Sequence, residues 1–427
     1  MARPQKGMMI PAGIAIAALG LTACGAADAE SNGDQENVEL RFTWWGGESR
    51  HNYTQEIIDN FEEEYPHISV QPEYGEWGGY WDQLATQAAA GDLPDIIQME
   101  LRYMREYIDS DQFIPLDDVD VSDVAEGVLE GGIIDGELFG IPSGSTVPAI
   151  VANREVFDEA GVDFPDDTTW TWDDFHEITQ QISDNSEAVG FARPFGDYGF
   201  EVWLRQHAGK DIVTDDGDVD LTAEDAQPYF ELLLEMNESG QMAPASLASE
   251  DRSAAHEQTL VVTGQAAMYI EWDTVIMQLS GGENVNLEPL RFPTLTGDAS
   301  DAELFYKPAM FYSVSAGSDH PEEAQLFIDY LINNEEAGSL TGIDRGLPAN
   351  EQVREAILPE LDEGASVIVD FQESIAEEVS PIPPVPPEGF GAVQDIIFRF
   401  EEEVIFGNLT PEQAAEQMVG EIESALS

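Results

Sequence analysis

Val38-Glu39-Leu40-Arg41-Phe42-Thr43-Trp44 alternates apolar and polar side chains without a break. That is the period of a strand with one buried face. Ile57, Ile58, Phe61 and Tyr65 then recur at helical spacing, and Pro66, which has no N–H to donate, stops the helix. Ile68-Ser69-Val70 reads as a second short strand. Residues 80–90 read as a helix closed by Gly91, and Asp95-Ile96-Ile97-Gln98-Met99 as a buried strand. Strand, helix, strand, helix, strand in this order predicts an α/β domain with a largely parallel sheet.

Downstream, Gly136-Glu137-Leu138-Phe139-Gly140-Ile141-Pro142 reads as a turn followed by a crossing segment. A second α/β region follows. Thr171 and Asp174 make a capping-box start, with Trp172, Phe175, Ile178 and Ile182 on one helix face. Ala266-Ala267-Met268-Tyr269-Ile270-Glu271-Trp272 reads as a strand ending in an aromatic, and Phe311-Tyr312-Ser313-Val314-Ser315 as another crossing. Pro321 opens a helix. Pro381-Ile382-Pro383-Pro384-Val385-Pro386-Pro387 must be a non-helical strap, and Thr410-Pro411 starts a last helix. A chain of 427 residues suits two domains.

Ahead of the first strand, Arg3 and Lys6 precede the apolar run 8–21, the make-up of a secretory signal. The run is too short and too punctuated by glycine for a spanning helix. It ends in Leu21-Thr22-Ala23-Cys24, which is similar to the bacterial lipoprotein signal. That likeness implies removal of residues 1–23, a diacylglyceryl group on Cys24 and a flexible tether over 24–37. A cleaved signal with an unmodified cysteine, or an uncleaved anchor, are the alternatives. Cys24 is the only cysteine, so no intrachain disulfide can form.

The formal charge is −70, and residues 1–23 hold two of the 16 basic residues and no acid, which leaves 14 bases against 86 acids. Such a chain has no basic face for nucleic-acid phosphates. Its 42% hydrophobic content separates it from acidic disordered chains. The scattered acids read as the solvated shell of a protein from a salt-rich habitat.

Enzyme signatures are missing. The sequence has no Gly-x-Ser-x-Gly elbow, no P-loop and no Gly-x-Gly-x-x-Gly. His176-Glu177 lacks the second histidine of a zinc motif, because Gln180 stands in its place. Asp215-Asp216-Gly217-Asp218 has its glycine in the wrong place for a calcium loop and reads as a hairpin turn. No metal set and no cofactor are expected. The eight tryptophans say more, because several fall where a strand hands over to a loop, as in Trp45-Gly46-Gly47-Glu48. In open α/β sheets the ligand crevice lies outside the carboxyl ends of the strands. Aromatic faces there suit the C–H face of a sugar ring, with polar side chains for its hydroxyls. Trp170 and Trp172 read as core instead.

Taken together, several segments resemble one family. They include Tyr65-Pro66-His67-Ile68-Ser69-Val70, Gly91-Asp92-Leu93-Pro94-Asp95-Ile96-Ile97, Ala152-Asn153-Arg154-Glu155-Val156-Phe157 and Trp170-Thr171-Trp172-Asp173-Asp174-Phe175. Gly264-Gln265-Ala266-Ala267-Met268, His320-Pro321-Glu322-Glu323-Ala324 and Arg345-Gly346-Leu347-Pro348-Ala349-Asn350 complete the set. In order and spacing they resemble the bacterial extracellular solute-binding proteins of family one, the carbohydrate-uptake class of ATP-driven importers. Residues 74–87, with Trp77, Tyr80 and Trp81, are similar to a subgroup that takes oligosaccharides. The resemblance implies a two-lobed α/β fold of the periplasmic-binding-protein type II kind, linked by hinge crossings. The first lobe would hold residues 38–142 and 314–347, the second 143–312 and 348–427. It implies cleft contacts from Trp45, Glu48, Trp77, Tyr80, Glu100 and Tyr103 on the first lobe. From the second it implies Trp203, Arg205, Trp272, Asp273 and Lys307, with Phe311 and Tyr312 at the crossing and Arg345 near the lobe junction. Glu48 and Asp273 would accept sugar hydroxyls, and Arg205 and Lys307 would donate.

The implied partners are a sugar or oligosaccharide, the permease and ATPase subunits of an ABC importer, and a membrane reached through the lipid. The protein would act as an exported monomer, at the outer face of the cytoplasmic membrane or in a periplasm. The rival readings are a lipid-anchored glycoside hydrolase and a binding protein for a polyol, peptide or glycerol phosphate. The acidic shell makes salt the first lever on stability. Screening length falls from about 10 Å at 0.1 M to about 3 Å at 1 M salt, which relieves self-repulsion. The thermal midpoint of the chain from residue 25 onward is expected to rise steadily over that range. A midpoint indifferent to salt would show that repulsion among the acids does not weaken the fold.

Overall fold

The computed structural model describes residues 37–214, 216–279 and 286–427. The expected signal segment, Cys24, the tether up to Glu36 and Asp215 lie outside the described residues.

Strand β1 (Val38–Trp45) leads into helix α1 (Glu48–Glu64), strand β2 (Ile68–Gly75), helix α2 (Trp77–Ala90), strand β3 (Ile96–Met99) and helix α3 (Leu101–Asp109). β1 lies between β2 and β3, parallel to both, with Val38 opposite Ile68 and Phe42 opposite Ile96. Helix α2 starts three residues before the expected Tyr80, at Trp77. Alternation along β1 sends Leu40, Phe42 and Trp44 to one face, where they meet Ile57, Ile58 and Phe61 of α1. Trp45 goes to the other face, against Tyr80 and Leu84 of α2 and Met104 of α3. Phe42 and Phe61 are fully buried, and each such side chain contributes about 1.5–3 kcal/mol.

The chain leaves this sheet through β4 (Ile141–Pro142) and β5 (Gly144–Thr146) and enters the second lobe with β6 (Pro148–Asn153). Helix α4 (Trp172–Asn185) follows, opened by the expected capping box, in which the Thr171 side chain and Asp174 exchange hydrogen bonds with each other's backbone. Next come β7 (Val189–Phe191), helix α5 (Gly196–Ala208), helix α6 (Ala223–Glu238), β8 (Ala266–Trp272) and β9 (Leu287–Leu290). The second sheet has the order β9-β6-β8-β7, with β8 and β9 antiparallel to β6. Trp170 and Trp172 are buried in its core.

The chain returns through β10 (Lys307–Pro308) to β11 (Phe311–Val314), which completes the first sheet in the order β2-β1-β3-β11-β4. β11 is antiparallel to β3, with Phe311 opposite Met99. The sheet is therefore mixed, because β11, the one strand supplied on return, runs against its neighbours β3 and β4. The whole of β11, Phe311 and Tyr312 included, lies in the first sheet, so the expected boundary after Tyr312 divides a strand. Helix α7 (Pro321–Asn333) covers this sheet, and β12 (Leu347–Pro348) makes the third crossing. The short helix Glu351–Ile357 then packs on Glu335–Thr341 of the first lobe. Only afterwards does the chain rejoin the second-lobe core, with α8 (Glu363–Ile375), α9 (Val393–Ile405) and α10 (Pro411–Ala425).

The three crossings pair with one another in a small sheet, β10-β5-β12. Lys307 is opposite Thr146, and Leu347 opposite Ser145. This close approach depends on glycine. A Cβ on Gly144 would lie 2.6 Å from the Leu347 carbonyl oxygen and 2.7 Å from the Gly346 carbonyl carbon. Gly346 itself has φ +91° and a virtual Cβ 2.7 Å from that of Ala309. Gly144→Ala is expected to destabilise the chain by about 1–3 kcal/mol, the usual range for overpacking. Equilibrium denaturation in urea measures this. An unchanged midpoint would show that the crossings separate at little cost.

Candidate ligand-binding cleft

At the end of β3, Glu100 caps α3. Its carboxylate accepts from Arg102 N at 2.8 Å and Arg102 Nε at 3.0 Å, and pairs with Lys307 Nζ at 2.5 Å. Lys307 stands on the crossing strand β10. Arg102 reaches the second lobe, where its Nη1 lies 3.3 Å from Asp197 Oδ2. Asp197 is held from behind by Gln394 Nε2 at 3.2 Å. Burial pushes the Glu100 carboxyl up, but Lys307 and Arg102 outweigh it and hold the group at about 2.

Helix α5 supplies the facing wall. Its first residue, Gly196, has φ +78° and donates its N–H to Glu401 Oε1 at 2.8 Å. Glu401 is fully buried on α9 and also bound by the Tyr229 hydroxyl and by Arg252 Nη2 at 2.7 Å. A buried, satisfied carboxylate thus fixes where α5 begins. Asp197, Tyr198 and Glu201 then share one face of the helix. Together with Glu100, Arg102, Lys307, Asp211, Trp272 and Phe305 they line a cavity of about 560 Å³, opening included. Pro383, Pro384, Pro386 and Phe390 close it on the remaining side.

The Trp272 ring lies 4.5 Å from that of Tyr198, tilted by 41°, and the Lys307 ammonium is 5.3 Å from the Trp272 ring centre. The Tyr198 hydroxyl donates to Glu271 at 2.6 Å. Glu201 makes no hydrogen bond or ion pair among the described residues. Burial pushes its carboxyl up to about 7; Asp211 and Asp197 push the same way, against Arg205 and Arg102.

Of the residues expected at the cleft, Glu100, Lys307 and Trp272 line the cavity. Tyr103 lies alongside on α3, its ring 4.0 Å from Trp81. Trp81 in turn contacts Trp45, Trp77 and Tyr80, so an aromatic bank runs along the first lobe to the half-exposed Trp77. Glu48 is exposed at the start of α1, outside the cavity lining. Others are taken up by the protein itself. Asp273 is fully buried and accepts from Thr146 Oγ1, Val147 N, Thr274 N and Gln372 Nε2 at 2.7–3.0 Å. Burial lifts it to about 6, and it ties the crossing strands to α8 instead of presenting an acceptor. Trp203 is buried, stacked 4.0 Å from His207. Arg205 braces the wall from behind, with Nε 2.6 Å from Asp211 Oδ1 and Nη1 donating to the Pro381 carbonyl at 3.0 Å. The Tyr80 hydroxyl is spent on the Gln98 carbonyl. Phe311 and Tyr312 are core strand residues. Arg345 is buried, bonded to Gln98 Oε1 at 3.1 Å and Thr54 Oγ1 at 3.0 Å.

Sequence reasoning missed Arg102, Asp197, Tyr198, Glu201 and Asp211. Arg102 carries the one available signal, the scarcity of bases in a chain with 16 of them. The acids carry none in a chain with 86 of them. The proline run was expected as a surface strap, and it also roofs the cavity.

A pH dependence follows from Glu201. Its folded pKa lies above the ordinary value of 4.5. Between pH 4.5 and about 7 the folded chain keeps a proton that the unfolded chain has released, so stability falls as pH rises through that window. Asp273 adds to the same slope. Asp197 and Arg205 on α5, Asp211 and Arg102 of α3 are the charges around Glu201. Glu201→Gln is expected to flatten the fall in denaturation midpoint across that window and to exceed the native chain in stability about one pH unit above it. Superimposable profiles would contradict this.

Comparison with known proteins agrees with this architecture. Residues 47–338 match the model of the family described as bacterial extracellular solute-binding protein. The arabinooligosaccharide-binding protein of Halalkalibacterium halodurans is 29% identical over 155 residues, 35% of this chain and 33% of that one. The extracellular solute-binding protein family 1 structure from Alicyclobacillus acidocaldarius is 25% identical, with a TM-score of 0.70 over 92% of this chain and 100% of that one. A periplasmic oligogalacturonide-binding protein from Yersinia enterocolitica, solved with saturated digalacturonic acid, shares the fold. Its TM-score is 0.78 at 21% identity, over 91% of this chain and 98% of that one. The sheet order, the paired crossings and the match over most of the chain lead to one conclusion: this protein belongs to the bacterial extracellular solute-binding proteins.

Proposed function

We propose that the chain is the exported, lipid-anchored binding component of an ABC sugar importer. It takes a saccharide between its lobes and delivers it to a membrane permease without chemical change. The observation that carries this reading is the cavity whose walls come from both lobes and whose floor includes Lys307 on a crossing strand. A solute in such a cavity binds the closed form better than the open one, and closure follows from that difference in affinity. Trp272 offers a ring face for stacking, and the bank from Tyr103 through Trp81 to Trp77 gives a longer saccharide further faces. The binding of arabinooligosaccharides by the Halalkalibacterium relative favours an oligosaccharide over a polyol or peptide. Cys24 would hold the protein at the membrane while the importer's own subunits hydrolyse ATP.

Thermal unfolding of the mature chain against a saccharide panel tests the reading. A saccharide present at a hundred times its dissociation constant stabilises the folded state by about 2.7 kcal/mol. One class is expected to do so and to be recovered uncleaved. Trp272→Ala is expected to weaken it about tenfold, which is about 1.4 kcal/mol. Hydrolysis of the saccharide would replace this reading with that of a glycosidase. No shift with any saccharide would remove the sugar from it.

A further inference from the structure

The charges around the cavity do not balance. Four carboxylates meet there, from Glu100, Asp197, Glu201 and Asp211. Three cations answer them. Lys307 pairs with Glu100, Arg102 spans to Asp197, and Arg205 reaches Asp211 from behind the wall. Glu201 is left over. It sits one turn beyond Asp197 on α5, faces the same space and makes no direct hydrogen bond or ion pair among the described residues, with Arg205 and Arg102 acting on it only at longer range. The same cavity is lined by the rings of Trp272, Tyr198, Phe305 and Phe390.

We propose that the solute carries a protonated amine, as an amino sugar does, and that Glu201 receives it as an ion pair inside the cleft. The proposal rests on the saccharide reading above and narrows it. An unpaired carboxylate on a cleft wall, partly removed from water, is costly, and burial raises this carboxyl accordingly. A cation restores the charge and completes a fourth pair. Aromatic faces favour the same sign of charge, the more so the more fully the cation is desolvated. Lys307 above Trp272 already shows the arrangement with a cation of the protein's own. At a distance, the field of a chain with net charge −70 gathers cations and turns away uronates. A neutral hydroxyl would make a hydrogen bond to Glu201 but leave the excess carboxylate uncompensated.

The test is titration calorimetry at neutral pH and one fixed salt concentration. Each sugar is paired with its 2-amino-2-deoxy counterpart of the same linkage and length, and oligogalacturonides form a third arm. The amino member is expected to bind at least about tenfold more tightly than its hydroxyl partner, about 1.4 kcal/mol, with uronates weakest. In Glu201→Gln the ratio within each pair is expected to fall to about one. Equal or tighter binding of the hydroxyl member, or of uronates, in the native chain overturns the amine and leaves the saccharide reading standing. The native-chain comparison needs no variant, so a poorly folded variant cannot obscure it. A ratio unchanged in a variant that unfolds like the native chain overturns the role of Glu201. Binding of neither member of any pair overturns both readings.

Discussion

The structure depends on the Glu100 carboxylate. It ends the central strand of the first sheet, caps α3, holds the crossing strand through Lys307 and orients Arg102 toward the second lobe. Removing any one partner would leave an uncompensated charge in a low-dielectric surrounding, a loss of about 3–5 kcal/mol in buried pairs. The arrangement is therefore all or nothing. While it stands, the cleft floor, the crossing and the interlobe contact are placed by one group.

The same economy governs every base after Cys24. Among the described residues all of them except Arg345 stand in an ion pair. Arg50 binds Asp344, Arg193 binds Asp251 and Glu271, Arg252 binds Glu401, and Arg291 binds Asp167 and Glu378. Several of these bases are nearly buried, where screening by salt is weak. Most of the acids outside them are solvated and repel. These cations are clamps at places where segments distant in sequence must meet, whereas Arg354 pairs within its own helix and Arg399 stands half-exposed. Arg345 does the same with neutral partners, gripping Gln98 and Thr54 beneath the Tyr53 ring.

This division explains what could be read from the sequence. The alternation of residues 38–44, the stop at Pro66 and the Thr171–Asp174 box are local, and local physics sets them. Trp172 could be assigned to the core because it falls on the inner face of a helix, whereas Trp203, expected at the cleft, is buried. Glu201 differs from Asp197, one turn before it on the same helix, only in what packs against it after folding, and no spacing encodes that. Asp273 misled for the same reason. The family resemblance implies a cleft acceptor there, whereas the chain turns and Thr146, Val147 and Gln372, up to 127 residues away, use up its oxygens. The boundary expected after Tyr312 cuts through a strand because a strand returning to a sheet has the same apolar pattern as one crossing between sheets.

Closure, finally, is a contest between these two kinds of charge. Opening the cleft parts Arg102 from Asp197, whereas Glu100 and Lys307 remain joined on the first lobe and the crossing. The parted pair gains water on both sides, so its net hold is modest, as it is for ion pairs that can hydrate. Repulsion between two acidic lobes acts the other way and weakens with salt. The proline strap adds a tether that is already ordered: Ile382 and Val385 pack into the first lobe while Arg205 of the second holds the Pro381 carbonyl. With polyproline backbone there is little entropy left to lose on closing. On the reading proposed above, a solute that contacts both lobes shifts this contest toward the closed form by its difference in affinity for the two forms.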